Sequence, residues 1–172
     1  VKGAPFLLVP VGSGSYIRGR VKPYPAGSFT VETAFIVNAW AYNSGASFAG
    51  LYIRDSISQK LVTFGVTTSN GDLQIQAYNW NSPTSSSGNV TGSAACHLGE
   101  AQVVWLKYYD DGATNRVISV SVDGYNWAQV VSISRADWLV PDGIGVFANA
   151  YAGYTASYGV DTGITILHWR QY

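Results

Sequence analysis

The sequence predicts an all-β domain built as an antiparallel two-sheet jelly-roll sandwich, and three observations carry that prediction. Apolar residues recur at every second position almost throughout, while the spacing of a helix is nearly absent. About ten short apolar runs follow one another at even spacing, with Gly, Asn and Asp pairs between them. Few helix formers stand between the runs, so crossover helices and a parallel sheet are not expected. An open barrel is the lesser alternative for the same pattern.

In chain order, the expected strands begin with SYIRGR at 15–20, FTVETAFIVNAWA at 29–41, FAGLYIRD at 48–55, LVTFGVTT at 61–68 and LQIQAYNW at 73–80. After a polar gap come AQVVWLKYYD at 101–110, NRVISVSVD at 115–123, WAQVVSIS at 127–134, GIGVFANAY at 143–151 and GITILHWRQY at 163–172. Asn70-Gly71, Asp111-Gly112, Asp123-Gly124 and Asp142-Gly143 mark turns, because these residues tolerate left-handed backbone at little cost. The stretch NSPTSSSGNVTGSAA at 81–95 reads as an exposed loop. SRADWLVPD at 134–142 is the one helical candidate, a single turn that Ser134 opens and Pro141 closes. Residues 1–14, with Pro5, Pro10 and Gly12, are expected to be a linker or an edge strand, leaving 15–172 as one domain.

A chain of 172 residues can bury a core without disulfides or a structural metal. Charged residues make up 12% of it, ten basic against ten acidic, so no net field draws it to nucleic acid or to an anionic membrane. Cys96 is the single cysteine, which excludes a disulfide framework and leaves the compartment open. Twelve Tyr and six Trp in a Gly, Ser, Thr and Asn background fit an extracellular binding protein better than a cytosolic enzyme. Apolar stretches fall short of the roughly 18–20 residues of a membrane span, so a soluble domain without membrane insertion is expected. With no methionine even at position 1, the chain is expected to be a domain of a larger architecture.

Catalytic chemistry finds little support. A glycosidase needs two facing carboxyl groups roughly 5–9.5 Å apart, yet the two glutamates, Glu32 and Glu100, lack the alternating Glu-x-Asp-x-x-Glu strand pattern of sandwich glucanases. The aspartates fall at strand ends and turns, where backbone reasons suffice. GASFAG at 45–50 has Ala where a nucleophile elbow needs its second Gly. Cys96 and His97, as neighbours on extended chain, point to opposite faces. His168, between Leu167 and Trp169, fits a half-buried histidine with a backbone partner. Asp110, Asp111 and Asp123 are candidate oxygen ligands for calcium, although hairpin turns explain both Asp-Gly pairs equally well. No cofactor is required, and the domain is expected not to be an enzyme.

Three stretches carry a family resemblance: GLYIRDSISQKLVTFGV at 50–66, YNWNSPTSSS at 78–87 and VWLKYYDDGATNRVISVSVDGYNWAQV at 104–130. They resemble domains of the concanavalin A-like lectin/glucanase superfamily over roughly residues 28–172. Similar modules are the laminin-G-like sandwiches of bacteriophage tail and other virion proteins and the C-terminal sandwiches of some glycoside hydrolases. The most specific part is WLK, a polar turn, a strand and then SVDGYNW, in which Trp127 is expected to pack across its own turn. The resemblance implies a concanavalin A-like fold and glycan binding, whereas the missing glutamates place the chain with the binding branch of the superfamily.

In such sandwiches the outward row of one sheet can hold a sugar chain. With the apolar rows inward, Leu51 and Ile53 face the core and Tyr52 and Arg54 face out. By the same parity Leu73, Ile75 and Ala77 go in, while Gln74, Gln76, Tyr78 and Trp80 come out. Aromatic faces suit the C–H faces of a pyranose, and amides and Arg supply paired hydrogen bonds to hydroxyls. The alternative is that Tyr78 and Trp80 pack under the 81–95 stretch or against a second subunit. ANAYAGYTASYG at 148–159 adds Tyr151, Tyr154 and Tyr158 as residues of a recognition loop or of a cap on the sandwich end. For 102–109 the pattern leaves open whether the Trp105 and Lys107 row or the Leu106 and Tyr108 row is buried.

The expected role is therefore a non-catalytic carbohydrate-binding or receptor-binding domain at an extracellular or virion surface. A glycoside hydrolase accessory domain and a structural, oligomerising virion domain are the alternatives. The expected partners are a glycan or host-surface receptor, other domains of the parent chain and a second copy in a homo-oligomer.

Overall fold

The computed structural model describes residues 6–9, 16–39, 48–69, 72–90, 96–97, 103–149 and 162–172. The strands are β1 (Phe6–Val9), β2 (Ile17–Pro23), β3 (Phe29–Ala39), β4 (Phe48–Arg54), β5 (Leu61–Ser69) and β6 (Asp72–Ser82). They continue as β7 (Ser85–Asn89), β8 (Cys96–His97), β9 (Val104–Asp110), β10 (Asn115–Ser121), β11 (Ala128–Ser134), β12 (Gly143–Asn149) and β13 (Thr162–Gln171). One sheet has six strands in the order β1-β13-β3-β9-β10-β11. The other has seven, in the order β2-β12-β4-β5-β6-β7, with β8 also pairing β6. Each pairing is antiparallel. The all-β two-sheet sandwich expected from the sequence is what forms.

The core lies between the sheets. Val31 and Phe35 on β3, Leu106 and Tyr108 on β9, Leu51 and Ile53 on β4, Phe64 on β5 and Ile144 on β12 are all buried in it. In β3, β4, β5, β6 and β9 alternate residues enter that layer, which is the consequence of a two-residue side-chain period on a pleated backbone. Burial of Leu106 and Tyr108 settles the orientation of β9, so Trp105 and Lys107 stand on the far face.

Two segments depart from the sequence expectation. Residues 134–142 form turns and bends with no helix, because Trp138 takes a left-handed φ of 65° that breaks a helical turn. The 81–95 stretch is no simple exposed loop: residues 82–85 turn β6 into strand β7, and Val90 enters the core. Within residues 1–14, β1 is an edge strand on β13, while β2 continues to Pro23. His168 is half-buried, and its ring packs at 5.3 Å from Trp105. Trp127 lies over β9, where the Lys107 ammonium stands 4.0 Å from its ring centroid.

The Asp-rich turns owe their geometry to side-chain caps. The Asp111 carboxylate accepts backbone N–H from Asn115 at 3.0 Å and from Ala113 and Thr114 at 2.7 Å. Those bonds, Asn115 first, hold its carboxyl down at about 2. Its folded value lies below the ordinary one near 3.9, so it stabilises the fold above pH ~4 and loses that contribution as pH falls through ~2. Urea midpoints measured between pH 4 and pH 2 are expected to fall less steeply for Asp111→Asn than for the parent. An unchanged slope would contradict this assignment.

Candidate functional site

Register places the outer face of the seven-stranded sheet in four rows. Arg54, Leu61 and Trp80 lie in one row and Tyr52, Thr63 and Tyr78 in the next. Phe147, Gly50, Gly65 and Gln76 form the third, and Asn149, Phe48, Thr67 and Gln74 the fourth. The parity expected for β4 and β6 thus holds: Tyr52, Arg54, Gln74, Gln76, Tyr78 and Trp80 share the face opposite the core. Ile75 and Ala77 are buried beneath them.

Sharing that face does not make them exposed. Trp80 is 4% and Tyr52 5% accessible, and both join Phe48, Leu61 and Phe147 in a second apolar cluster, with Ile17 and Tyr78 packed against it. This corrects the expectation that Trp80 and Tyr52 are displayed to water. The cause is the β6–β7 hairpin. Register shifts at Asn79/Trp80 and Trp80/Ser82 bend β6. Pro83 at the hairpin tip then accepts a 2.8 Å bond from the Ile17 N–H on the opposite edge of the sheet. The sheet therefore curls until its two edge regions meet over the aromatic layer. Trp80 Nε1 donates to Thr63 Oγ1 at 2.8 Å, which satisfies the indole in that dry setting.

Where the hairpin tip meets β2, a cleft of about 400 Å³ remains. Tyr52 and Arg54 line it, together with Asp55, Ser56 and Gln59 from the β4–β5 turn and Pro83 from the hairpin. Gly19 makes room for Tyr52: a Cβ at that position would stand 2.7 Å from the Tyr52 ring. Burial raises the Tyr52 hydroxyl's pKa, with Arg54 opposing the shift, so the hydroxyl is a neutral donor and acceptor at physiological pH. Arg54 Nε is buried without a hydrogen-bond partner among the described residues and stands 3.8 Å from Asp142 Oδ1. Asp142 also accepts from the Ser56 hydroxyl and, at 3.2 Å, from its N–H.

The turn itself is pre-shaped. Asp55 accepts the Ser58 hydroxyl at 2.7 Å and the Ile57 N–H at 2.9 Å, and these bonds lower its pKa. Gln59 holds a left-handed φ of 62°, uncommon for a residue with a Cβ. From behind, the Lys60 ammonium sits 4.5 Å from the Trp138 ring centroid, and Trp138 Nε1 donates to the Leu61 carbonyl at 3.1 Å. The cleft is thus walled by fixed backbone and carries paired polar groups beside apolar ones.

Other candidates fall elsewhere. Gln76 Nε2 donates to Gln74 Oε1 at 3.1 Å, two rows from Arg54, and Tyr78 packs edge-on to Phe48 at 5.6 Å. Tyr151 and Tyr154 lie outside the described residues. The three calcium candidates are engaged within the chain. Asp110 is fully buried against two guanidinium groups, Arg135 Nε at 2.7 Å and Arg116 Nε at 3.7 Å, so cations of the chain already hold its oxygens. Asp111 and Asp123 cap separate turns, Asp123 accepting from Tyr125 and Asn126 at 2.8 Å each. Among the described residues no three His, Cys, Asp or Glu side chains gather as metal ligands. Pro83 was missed because only the curl of the sheet brings it beside Tyr52, and Asp55, Ser56 and Gln59 because they lie in the β4–β5 turn and not on the outward strand row. The Asp55-x-x-Ser58 turn pattern was their one local signal.

No family model matches the sequence, and no curated protein matches it. Among solved structures, a functionally unknown protein from Saccharomyces cerevisiae aligns with TM-score 0.56 and 19% identity, over 94% of this chain and 75% of that one. A GH43 glycoside hydrolase engineered for endo-xylanase and exo-arabinofuranosidase activity aligns with TM-score 0.60 and 11% identity, over 97% of this chain and 36% of that one. A xylan β-1,4-xylosidase from Bacillus halodurans C-125 aligns with TM-score 0.56 and 16% identity, over 88% of this chain and 28% of that one. At such identities the likeness is one of fold, and the chain spans only about a third of either hydrolase.

Proposed function

We propose that the chain is a non-catalytic carbohydrate-binding domain that accompanies a glycoside hydrolase catalytic domain, and that the Tyr52–Arg54 cleft holds the glycan. The observation that carries the reading is the cleft's mixed lining. Arg54 and Asp55 cancel in charge, Tyr52, Ser56 and Gln59 offer donors and acceptors, and Leu61, Ile17 and Pro83 offer apolar area. A neutral polyhydroxyl ligand needs that combination, and its size fits the few-hundred-Å³ sites that small ligands occupy. A setting beside a catalytic domain, in preference to a virion surface, is supported by the hydrolase chains that contain a region of this fold. The engineered GH43 enzyme displays endo-xylanase activity and the Bacillus halodurans enzyme is a xylan β-1,4-xylosidase, which makes xylo-oligosaccharides the first probe.

Calorimetric titration with xylo-oligosaccharides is expected to show binding that Tyr52→Phe weakens roughly 3- to 10-fold, the worth of one hydroxyl hydrogen bond. Arg54→Gln is expected to weaken it further. Tyr52→Phe keeps the ring that the aromatic cluster requires, so its effect reports on binding and not on folding. Absence of binding to xylo-, arabino- and gluco-oligosaccharides alike would end the proposal.

A further inference from the structure

A second cavity opens at the edge of the sandwich, where β1 and β13 of one sheet face β2 and β12 of the other. It encloses about 520 Å³, walled by Leu7, Val146, Ile166 and Trp169, with Arg20 and Lys22 at its margin. None of its lining residues is acidic.

Its basic side breaks the pattern of the fold. Register pairs Arg18, Arg20 and Lys22 of β2 with Ala148, Val146 and Ile144 of β12, all three buried toward the core. The core-side row of an edge strand is thus occupied by three of the chain's ten basic residues. Among the described residues none of the three is paired with a carboxylate. Inward charge on an edge strand is one device against edge-to-edge pairing, and here it also leaves unmatched cations at the rim of an apolar cavity. Departures from patterning of this kind concentrate at functional sites.

A second observation points the same way. Trp169 Nε1 is buried and has no hydrogen-bond partner among the described residues. Buried indole N–H groups are ordinarily satisfied. The Lys22 ammonium stands 5.4 Å from the centroid of that ring, so the indole and a cation share one end of the cavity.

We propose that this cavity binds an anionic amphiphile, with a carboxylate head met by Lys22 and Arg20 and an aliphatic body lying between the sheets. The Trp169 ring walls the same end of the cavity as the head. The aliphatic stems of Arg20 and Lys22 flank the body while their charges stay at the mouth. This site is on the opposite side of β2 from the glycan cleft and does not depend on it.

Sodium decanoate below its micellar concentration is the probe, with 1-decanol as its uncharged counterpart. On titration with decanoate, the Trp169 indole N–H resonance is expected to shift downfield. Decanoate is expected to bind at least about tenfold more tightly than 1-decanol, the difference that one well-placed charge interaction makes. Arg20→Glu combined with Lys22→Glu, at exposed edge positions, is expected to remove that preference and leave xylo-oligosaccharide binding unchanged. Trp169→Phe is expected to weaken decanoate severalfold. Co-sedimentation with phosphatidylcholine vesicles carrying decanoate, set against binding of the free acid, tells whether the head is taken from a bilayer or from solution. No movement of the Trp169 resonance, or equal binding of acid and alcohol that survives the charge reversal, would overturn the proposal.

Discussion

Asp110→Ala is expected to lower the unfolding free energy by about 3–5 kcal/mol, the usual cost of removing one partner from a buried ion pair. The Asp110 carboxylate is inaccessible to solvent, and Arg116 beside it is 2% accessible. Asp110 accepts from the Gly112 N–H at 2.8 Å and from the Tyr24 hydroxyl, which in turn stands 2.6 Å from the Tyr108 hydroxyl. Burial raises both tyrosines above their ordinary pKa, so both hydroxyls stay protonated and available as donors. Without the carboxylate, Arg116 keeps its charge in the core with no other ion-pair partner among the described residues. Its Nε and Nη1 already lack hydrogen-bond partners among the described residues. Arg135, bonded through Nη1 to the Gly112 carbonyl at 2.9 Å, would lose its ion pair as well. Asp110→Asn, which retains an acceptor, is expected to cost less. Urea unfolding at neutral pH decides, and a loss below about 1 kcal/mol for the alanine variant would mean that water screens the cluster.

Trp80→Ala is expected to cost about 3–5 kcal/mol, as for a large aromatic residue removed from a core. Trp80 lies on the outer side of its sheet, yet the hairpin that carries it folds back over the Tyr52 and Phe147 layer. Its loss would empty that layer and strand the Thr63 hydroxyl, whose remaining contact is a 3.4 Å bond to the Tyr78 carbonyl. Trp127→Ala supplies the contrast, since its cation contact with Lys107 lies on a solvent-facing turn and is worth about 0.5–1 kcal/mol. Similar losses for the two variants in thermal and urea unfolding would show that the hairpin does not close the face. Because Trp80→Ala also loosens the walls of the cleft, glycan binding by that variant reports on folding, whereas Tyr52→Phe isolates the contact.

Much of the fold was legible in order along the chain. Ile75 and Ala77 beneath Tyr78 and Trp80, or Leu51 and Ile53 beneath Tyr52 and Arg54, follow from a two-residue period that any extended backbone imposes. Asp123-Gly124 was legible as a turn because its requirements, a left-handed glycine with φ of 78° and a carboxylate close to the next N–H groups, are local. The Ser-rich segment was not legible as a strand. Ser85–Asn89 has no apolar alternation, and its pairing is set by the neighbouring β6.

For β4 and β6 the sequence by itself determined which residues face the core and which face away, since that choice rests on side-chain alternation and the energetic gain of burying the more apolar row. Only the tertiary structure decided whether the outward row is wet. Trp80 and Tyr52 were assigned the correct face and the wrong solvent, because burial there depends on Pro83 reaching Ile17 across the whole sheet. The same holds for Asp110, whose role as a buried anion is conferred by Arg116, Arg135 and Tyr24 from three other segments. Alternation is a property of neighbours along the chain, whereas solvent exclusion and charge pairing belong to residues that meet only when the sheets close.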